Sequence, residues 1–195
     1  MALITERIGP DKHHLYNKIS SRFLVKSVYM IEEINHGLGG LRLLEAPVEK
    51  PYFKNYDADG KEIIAAWAED FNINDWGIFL CCHNDEPVGG ITVAINSKIY
   101  PLDRFQREDM AVLWDIRISP DVRGKGIGKH LFYHAAGWAR SMGCGQLAME
   151  TQNVNVYACN FYSSMGCRLG AIHRYGYSGC PNVKHEAMLL WYYDL

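Results

Sequence analysis

Residues 111 to 150 constrain the fold more than any other stretch. AVLWDIRI (111 to 118) is apolar enough for a buried strand, Ile127, Leu131, Ala135, Trp138 and Met142 recur at helical spacing, and QLAME (146 to 150) reads as a second strand. A strand, a helix and a strand in succession predict a βαβ unit with parallel strands and a right-handed crossover. Between the first strand and the helix lies SPDVRGKGIGK, with Gly124, Gly126 and Gly128 alternating where the helix must begin. Glycines there let the backbone approach a ligand, and the free N–H groups of a first helical turn form an anion site. Arg123, Lys125 and Lys129 frame them with positive charge. Two nucleotide motifs fail: a Walker A loop needs glycine at Arg123 and Ser or Thr at His130, and G-x-G-x-x-G needs glycine at Lys129 or Leu131.

Elsewhere the signals are weaker. Leu15 and Ile19 fit one helical face in DKHHLYNKIS, and LVKSVYMI and LRLLE flank the glycines of HGLGG as two strands around a turn. Ile63, Ile64, Trp67 and Phe71 predict an amphipathic helix, and WGIFLCCH with VGGITVAI around NDEP predicts a β-hairpin. Residues 96 to 109 are polar and read as an exposed loop. A second helix is expected at about 155 to 165, with strands near 167 to 175 and 186 to 193. At 195 residues the chain suits a single domain.

Composition narrows the function classes. With 20 basic and 22 acidic residues and no basic block, the chain does not look built to neutralise a nucleic-acid backbone. No apolar run approaches a bilayer span, and MALITERIG lacks the pattern of a cleaved signal. Cys81, Cys82, Cys144, Cys159, Cys167 and Cys180 form no C-x-x-C pair and read as reduced, buried thiols of a cytoplasmic protein.

Two motifs carry a resemblance. R-x-x-G-x-G at Arg123, Gly126 and Gly128 resembles the acetyl-CoA pyrophosphate loop of the GNAT superfamily of N-acetyltransferases, in the matching strand-turn-helix context. NVYACNFYSSMGC resembles that family's second motif through Asn155, Ala158, Phe161, Tyr162 and Gly166, with Cys167 replacing the usual aromatic. Both motifs fall within 111 to 193. The longer segments WDIRISPDVRGKGIGKHLFYHAAGWARSMGC and METQNVNVYACNFYSSMGCRLGAI, with PYFKNYD and LLWYYDL, are similar to streptothricin acetyltransferases, which acetylate an amine of a β-lysine-bearing antibiotic.

The resemblance implies a GNAT-like α/β fold: a mixed, mostly antiparallel sheet with a parallel βαβ core and helices on both faces. It implies one domain over 1 to 195, with 1 to 109 as the variable acceptor side and 110 to 195 binding acetyl-CoA. Cofactor contacts would then fall on Arg123, Gly124, Lys125, Gly126, Ile127, Gly128 and Lys129, on the backbone of Ile116 to Ile118, and on Asn155 and Tyr162. A backbone N–H of that strand would stabilise charge developing on the thioester carbonyl. Asn155 could equally cap its own helix.

The reaction sets its own demands. An alkyl amine with a pKa near 10.4 must lose a proton before it attacks a thioester, and a carboxylate can accept it directly or through water. Asp115 and Glu150, in the two parallel strands, are the candidates; a buried structural carboxylate, paired for Asp115 with Arg117, is the competing role for each. Tyr162 falls at the family's tyrosine, where a phenol can protonate the leaving thiolate, with Phe161 expected to face the core. Tyr162 filling an apolar surface is the alternative.

Other residues invite less. His130 and His134 have a zinc-compatible spacing without a third ligand, so no metal is expected. Cys159 and Cys167 have no adjacent histidine to make them nucleophiles. Glu32, Glu33 and Asp75 are available to a cationic acceptor, or are ordinary surface acids. The expected partner is a small-molecule amine, with a homodimer left open. A protein or peptide terminus, a polyamine, or acetyl-CoA sensing without turnover are the rival functions; Tyr162, Asp115 and Glu150 together weigh against a sensor.

Overall fold

Gly89 and Gly90 are neighbours in one strand, so a Cβ on each would point to opposite faces of the sheet. In the computed structural model, which describes residues 2–96 and 107–195, a Cβ at Gly89 would meet Leu131, Ile118 and Ile127, and one at Gly90 would meet the Tyr16 ring. The two missing side chains thus let a helix seat closely on each face.

In chain order the elements are β1 (Ile4–Arg7), α1 (His13–Asn17), β2 (Phe23–Glu33), β3 (Leu41–Lys54), α2 (Ile64–Asp70), β4 (Gly77–His83) and β5 (Glu86–Ala94). They continue as β6 (Met110–Ile118), α3 (Ile127–Ser141), β7 (Gln146–Gln152), α4 (Val156–Ser164), β8 (Arg168–His173) and β9 (Met188–Asp194). The chain clusters into two units, 1–22 with 55–148 and 194–195, and 23–54 with 149–193. Each unit draws on both halves of the sequence.

The first unit orders its strands β1-β4-β5-β6-β7 and the second β7-β9-β8, while β2 and β3 form a separate two-stranded sheet in the second. The larger sheet is mostly antiparallel with one parallel pair, as the β6-α3-β7 crossover requires. In the β5/β6 ladder Thr92 faces Asp115 but Val93 faces Leu113, so Trp114 is an extra residue that bends β6 ahead of the glycine loop. Trp114 lies in an aromatic cluster with Trp67, Phe71 and Trp76, its ring centroid 5.3 Å from that of Phe71 and 5.5 Å from that of Trp76.

The predicted βαβ unit, the hairpin at 77–94 and the strand pair around residues 34–40 are present. Three details differ. The buried stripe of α3 is Ile127, Leu131, Phe132, Ala135, Ala136 and Ala139, whereas Met142 lies past the helix end and is half exposed. The first helix stops at Asn17, so Ile19 is buried from the following turn and Tyr16 is the helix's core residue. Cys180 is exposed and Cys82 is partly so; the other four thiols are buried, and none of the six is in a disulfide. The expected loop at 96–109 falls largely outside the described residues.

In the second unit Asn153 ties three segments together. Its side-chain amide donates to Tyr29 O and its Oδ1 accepts from Ala187 N, at 2.9 and 2.8 Å, while its main chain bonds both residues as well. The β2/β3 hairpin is thereby held to the β7-α4 turn and to the start of β9.

Candidate active site

After β6 the chain makes a short 3-10 turn at Pro120–Val122, and Gly124 and Gly126 take φ values of 79° and 85°. Only glycine adopts such angles without strain. Gly126 is the N-cap of α3; no side chain caps it and no acid occupies the first turn. The amides of Ile127, Gly128 and Lys129 therefore have no intrahelical acceptor and form the positive end of the helix dipole. A Cβ at Gly124 or Gly126 would meet nothing within 4 Å, so the loop is an open cradle of backbone donors. Ile127 and Leu131, buried against Gly89, fix the helix that presents it. A diphosphate suits this donor set.

The loop's cations are not all free for an anion. Arg123 donates through Nε to Ile118 O and through Nη2 to Arg22 O, at 3.0 and 2.9 Å. It clamps the loop to β6. Lys125 Nζ donates to Asp121 O, and the Lys129 ammonium stands 5.9 Å from the centre of the Tyr133 ring.

Asp115 and Arg117 occupy alternate positions of β6 and share a face. Arg117 is 2% exposed, and its Nε donates to Asp115 Oδ2 at 2.6 Å. Its Nη1 reaches Asp57 Oδ1 at 3.0 Å and Ile19 O at 3.3 Å, its Nη2 donates to Glu62 O, and the guanidinium lies 5.4 Å from the Tyr16 ring centre. Tyr16 donates its hydroxyl to the same Asp115 oxygen at 2.6 Å and accepts from Thr92 at 3.1 Å. Burial first, and then the Asp115 charge, hold the Tyr16 phenol well above its ordinary range. This network is the pairing that competed with a basic role for Asp115.

Glu150 lies in the second unit, in the last part of β7. Its side chain is exposed, yet its carboxyl is crowded by protein atoms; the surface exposure governs whether an acceptor can reach it. Burial pushes its pKa up, against the Tyr177 hydrogen bond and the Lys54 charge. Tyr177 donates its hydroxyl to Glu150 Oε1, and Lys54 binds both Glu186 oxygens at 2.5 Å. Tyr177, Lys54 and Glu186 carry no local sequence signal of this grouping, because each lies more than 25 residues from Glu150.

Asn155 caps α4, its Oδ1 accepting from Ala158 N at 3.1 Å. Val156, Cys159 and Tyr162 make the buried face of that helix, with Tyr162 at 3% exposure, while Phe161 is half-buried. The expected order of the two aromatics is thus reversed, because helix phase places residue 162 with 156 and 159. Burial raises the Cys159 pKa and pushes that of Cys167 up to about 12, which suits packing thiols rather than nucleophiles.

Glu32 pairs with Arg42 at 2.5 Å, and Glu33 pairs with Arg174. Asp75 is exposed in the first unit. His130 bonds the Thr5 hydroxyl at 2.9 Å and His134 rests edge-on against Phe79. Among the described residues no helix is long and apolar enough to cross a membrane.

The chain is 29% identical over 178 residues to streptothricin acetyltransferase A of Bacillus subtilis, covering 91% of this chain and 92% of that protein. It is 30% identical over 173 residues to streptothricin acetyltransferase of Escherichia coli, covering 89% and 86%. A solved Bacillus anthracis structure in complex with acetyl coenzyme A superposes over all of both chains with a TM-score of 0.76 at 23% identity, a likeness of fold. The acetyltransferase (GNAT) family model matches residues 42–167, a span that contains the bent strand β6, the glycine cradle, Glu150 and the Asn155-capped helix, and the chain belongs to that family.

Proposed function

We propose that the protein transfers the acetyl group of acetyl-CoA to a primary amine of a small polycationic acceptor of the streptothricin type, the whole chain serving as one acetyltransferase domain. The observation that carries the acceptor is the identity of about 30% over some nine-tenths of the chain to two streptothricin acetyltransferases.

The chain's own residues divide the work. The uncapped first turn of α3, with Gly124, Gly126 and Gly128, fits a diphosphate, and Arg123 fixes the loop that offers those amides. Acetyl-CoA supplies an activated thioester when bound. Glu150, exposed and held more basic than an ordinary carboxylate, takes the proton that the amine must lose. Tyr162 gives a proton to the leaving sulfur, which converts a poor leaving group into a thiol. Asp115, with one oxygen shared by Tyr16 and Arg117, organises β6 in this reading.

A thiol-release assay with acetyl-CoA and a panel of amines tests the proposal. Streptothricin should turn over fastest among streptothricin, a polyamine, a neutral peptide amine and a simple alkylamine. Efficient turnover of the peptide with none of streptothricin would transfer the assignment to a protein terminus, and a lack of amine-dependent thiol release with every amine of the panel would overturn it altogether.

A further inference from the structure

Tyr177 lies between β8 and β9, is buried, and donates its hydroxyl to Glu150 Oε1. Among the described residues that contact takes one carboxylate oxygen and leaves Oε2 for a substrate proton. The remaining charged groups acting on Glu150 are Lys54 and Glu186. Lys54 is held by both oxygens of Glu186, with side-chain exposures of 12% and 5%, so the cation is already neutralised and does not swing to Glu150. The fixed donor on Glu150 is therefore a neutral phenol, which orients a carboxylate without tying its charge into an ion pair.

We propose that Tyr177 is a positioning residue for acetyl transfer: its hydroxyl holds the Glu150 carboxylate in one orientation, with Oε2 presented to the acceptor amine. The inference rests on the assignment of Glu150 as proton acceptor made above. It goes beyond that assignment in giving the β8-β9 segment a part in the reaction.

The test compares wild type, Tyr177→Phe, Glu150→Gln and the double variant, each confirmed folded by its thermal unfolding midpoint. Thiol release is followed from pH 5.5 to 9, with streptothricin or, failing that, the panel amine turned over fastest. The phenyl ring keeps the volume and burial of Tyr177 and removes one hydrogen bond to the ionised carboxyl. Tyr177→Phe should lower kcat by about 3- to 10-fold, leave KM for acetyl-CoA unchanged and move the acid limb of the rate profile up by about 0.5 pH unit or more. The double variant should be no slower than Glu150→Gln, because the hydroxyl acts only through that carboxylate.

Three results overturn the proposal, and they are distinguishable. Wild-type kcat with an unmoved acid limb in Tyr177→Phe, alongside a crippled Glu150→Gln, defeats the positioning role and spares Glu150. Wild-type turnover in Glu150→Gln defeats the base assignment itself. Additive losses in the double variant would mean that Tyr177 acts independently of Glu150.

Discussion

Tyr16 Oη and Arg117 Nε both stand 2.6 Å from a single atom, Asp115 Oδ2. In the proposed reading this carboxylate oxygen, engaged by a phenol and a guanidinium, serves structure, and Arg117 carries the arrangement on to Ile19, Asp57 and Glu62. Asp115→Ala would leave a guanidinium with 0% side-chain exposure with Asp57 as its remaining charged partner. The expected loss is about 3 kcal/mol or more of folding stability, measured by urea unfolding. A variant as stable as wild type, but with a changed pH–rate profile, would return Asp115 to the list of bases.

The same network makes an alkaline prediction. Burial raises the Tyr16 pKa in the folded protein above its unfolded value of 10.0, so the unfolded chain releases that proton first. This contribution to stability is complete below about pH 10 and is lost as pH rises toward the folded pKa. Wild type should lose stability between about pH 10 and 12, and Tyr16→Phe should lose less over that interval. Equal slopes in chemical unfolding would show that Tyr16 is not the titrating group.

Two glycines of the cradle should respond differently to alanine. Gly126 has φ 85°, so Gly126→Ala strains the backbone by about 1 kcal/mol besides placing a methyl over the anion site. Gly128 lies inside α3 and is not among the positive-φ glycines, so alanine there favours the helix by up to about 1 kcal/mol. Both variants should bind acetyl-CoA more weakly by calorimetry, yet Gly128→Ala should melt no lower than wild type. Unchanged affinity in a folded Gly128→Ala would remove the helix N-terminus from the cofactor site.

These contrasts show where the sequence was legible. The βαβ unit and its glycine turn could be read because the pattern is local: apolar strands, a 3.6-residue stripe and glycines at the helix start all lie within about 40 residues. The hairpin at 77–94 was legible for the same reason. The Asp115–Arg117 pairing could be named as an alternative because the two residues are two apart on one strand. Its other members, Tyr16, Ile19, Asp57 and Glu62, lie 55 or more positions from Arg117 and carry no local signal. Tyr177 and the Lys54–Glu186 pair, each more than 25 positions from Glu150, carry no local signal either. The bulge at Trp114 was invisible because an extra residue in one strand shows only against its partner. The Phe161/Tyr162 order differs from the expectation because helix phase, rather than residue apolarity, decides which neighbour is buried.

Tyr162 sits at 3% exposure on the face of α4 that also buries Val156 and Cys159. If its hydroxyl protonates the leaving thiolate, Tyr162→Phe should reduce kcat by about 10²-fold with acetyl-CoA affinity unchanged. The ring's packing is retained, so thermal stability should move little. A variant with wild-type turnover would make Tyr162 a core residue and nothing more.

A streptothricin-like acceptor carries several ammonium groups, and it would be drawn to carboxylates that lack a neutralising partner of their own. Glu32 and Glu33 are already paired with Arg42 and Arg174, and Glu186 with Lys54, whereas Glu150 is exposed and, among the described residues, takes its side-chain hydrogen bond from a phenol. Raising the salt from about 50 to 500 mM shortens the screening length roughly threefold, so KM for the polycation should rise while KM for a monocationic alkylamine changes much less. Glu150→Gln should flatten the salt dependence for the polycation as well as lowering kcat, since one substitution removes both the proton acceptor and the attracting charge. A polycation KM indifferent to salt would mean that shape and hydrogen bonding, rather than charge, select the acceptor.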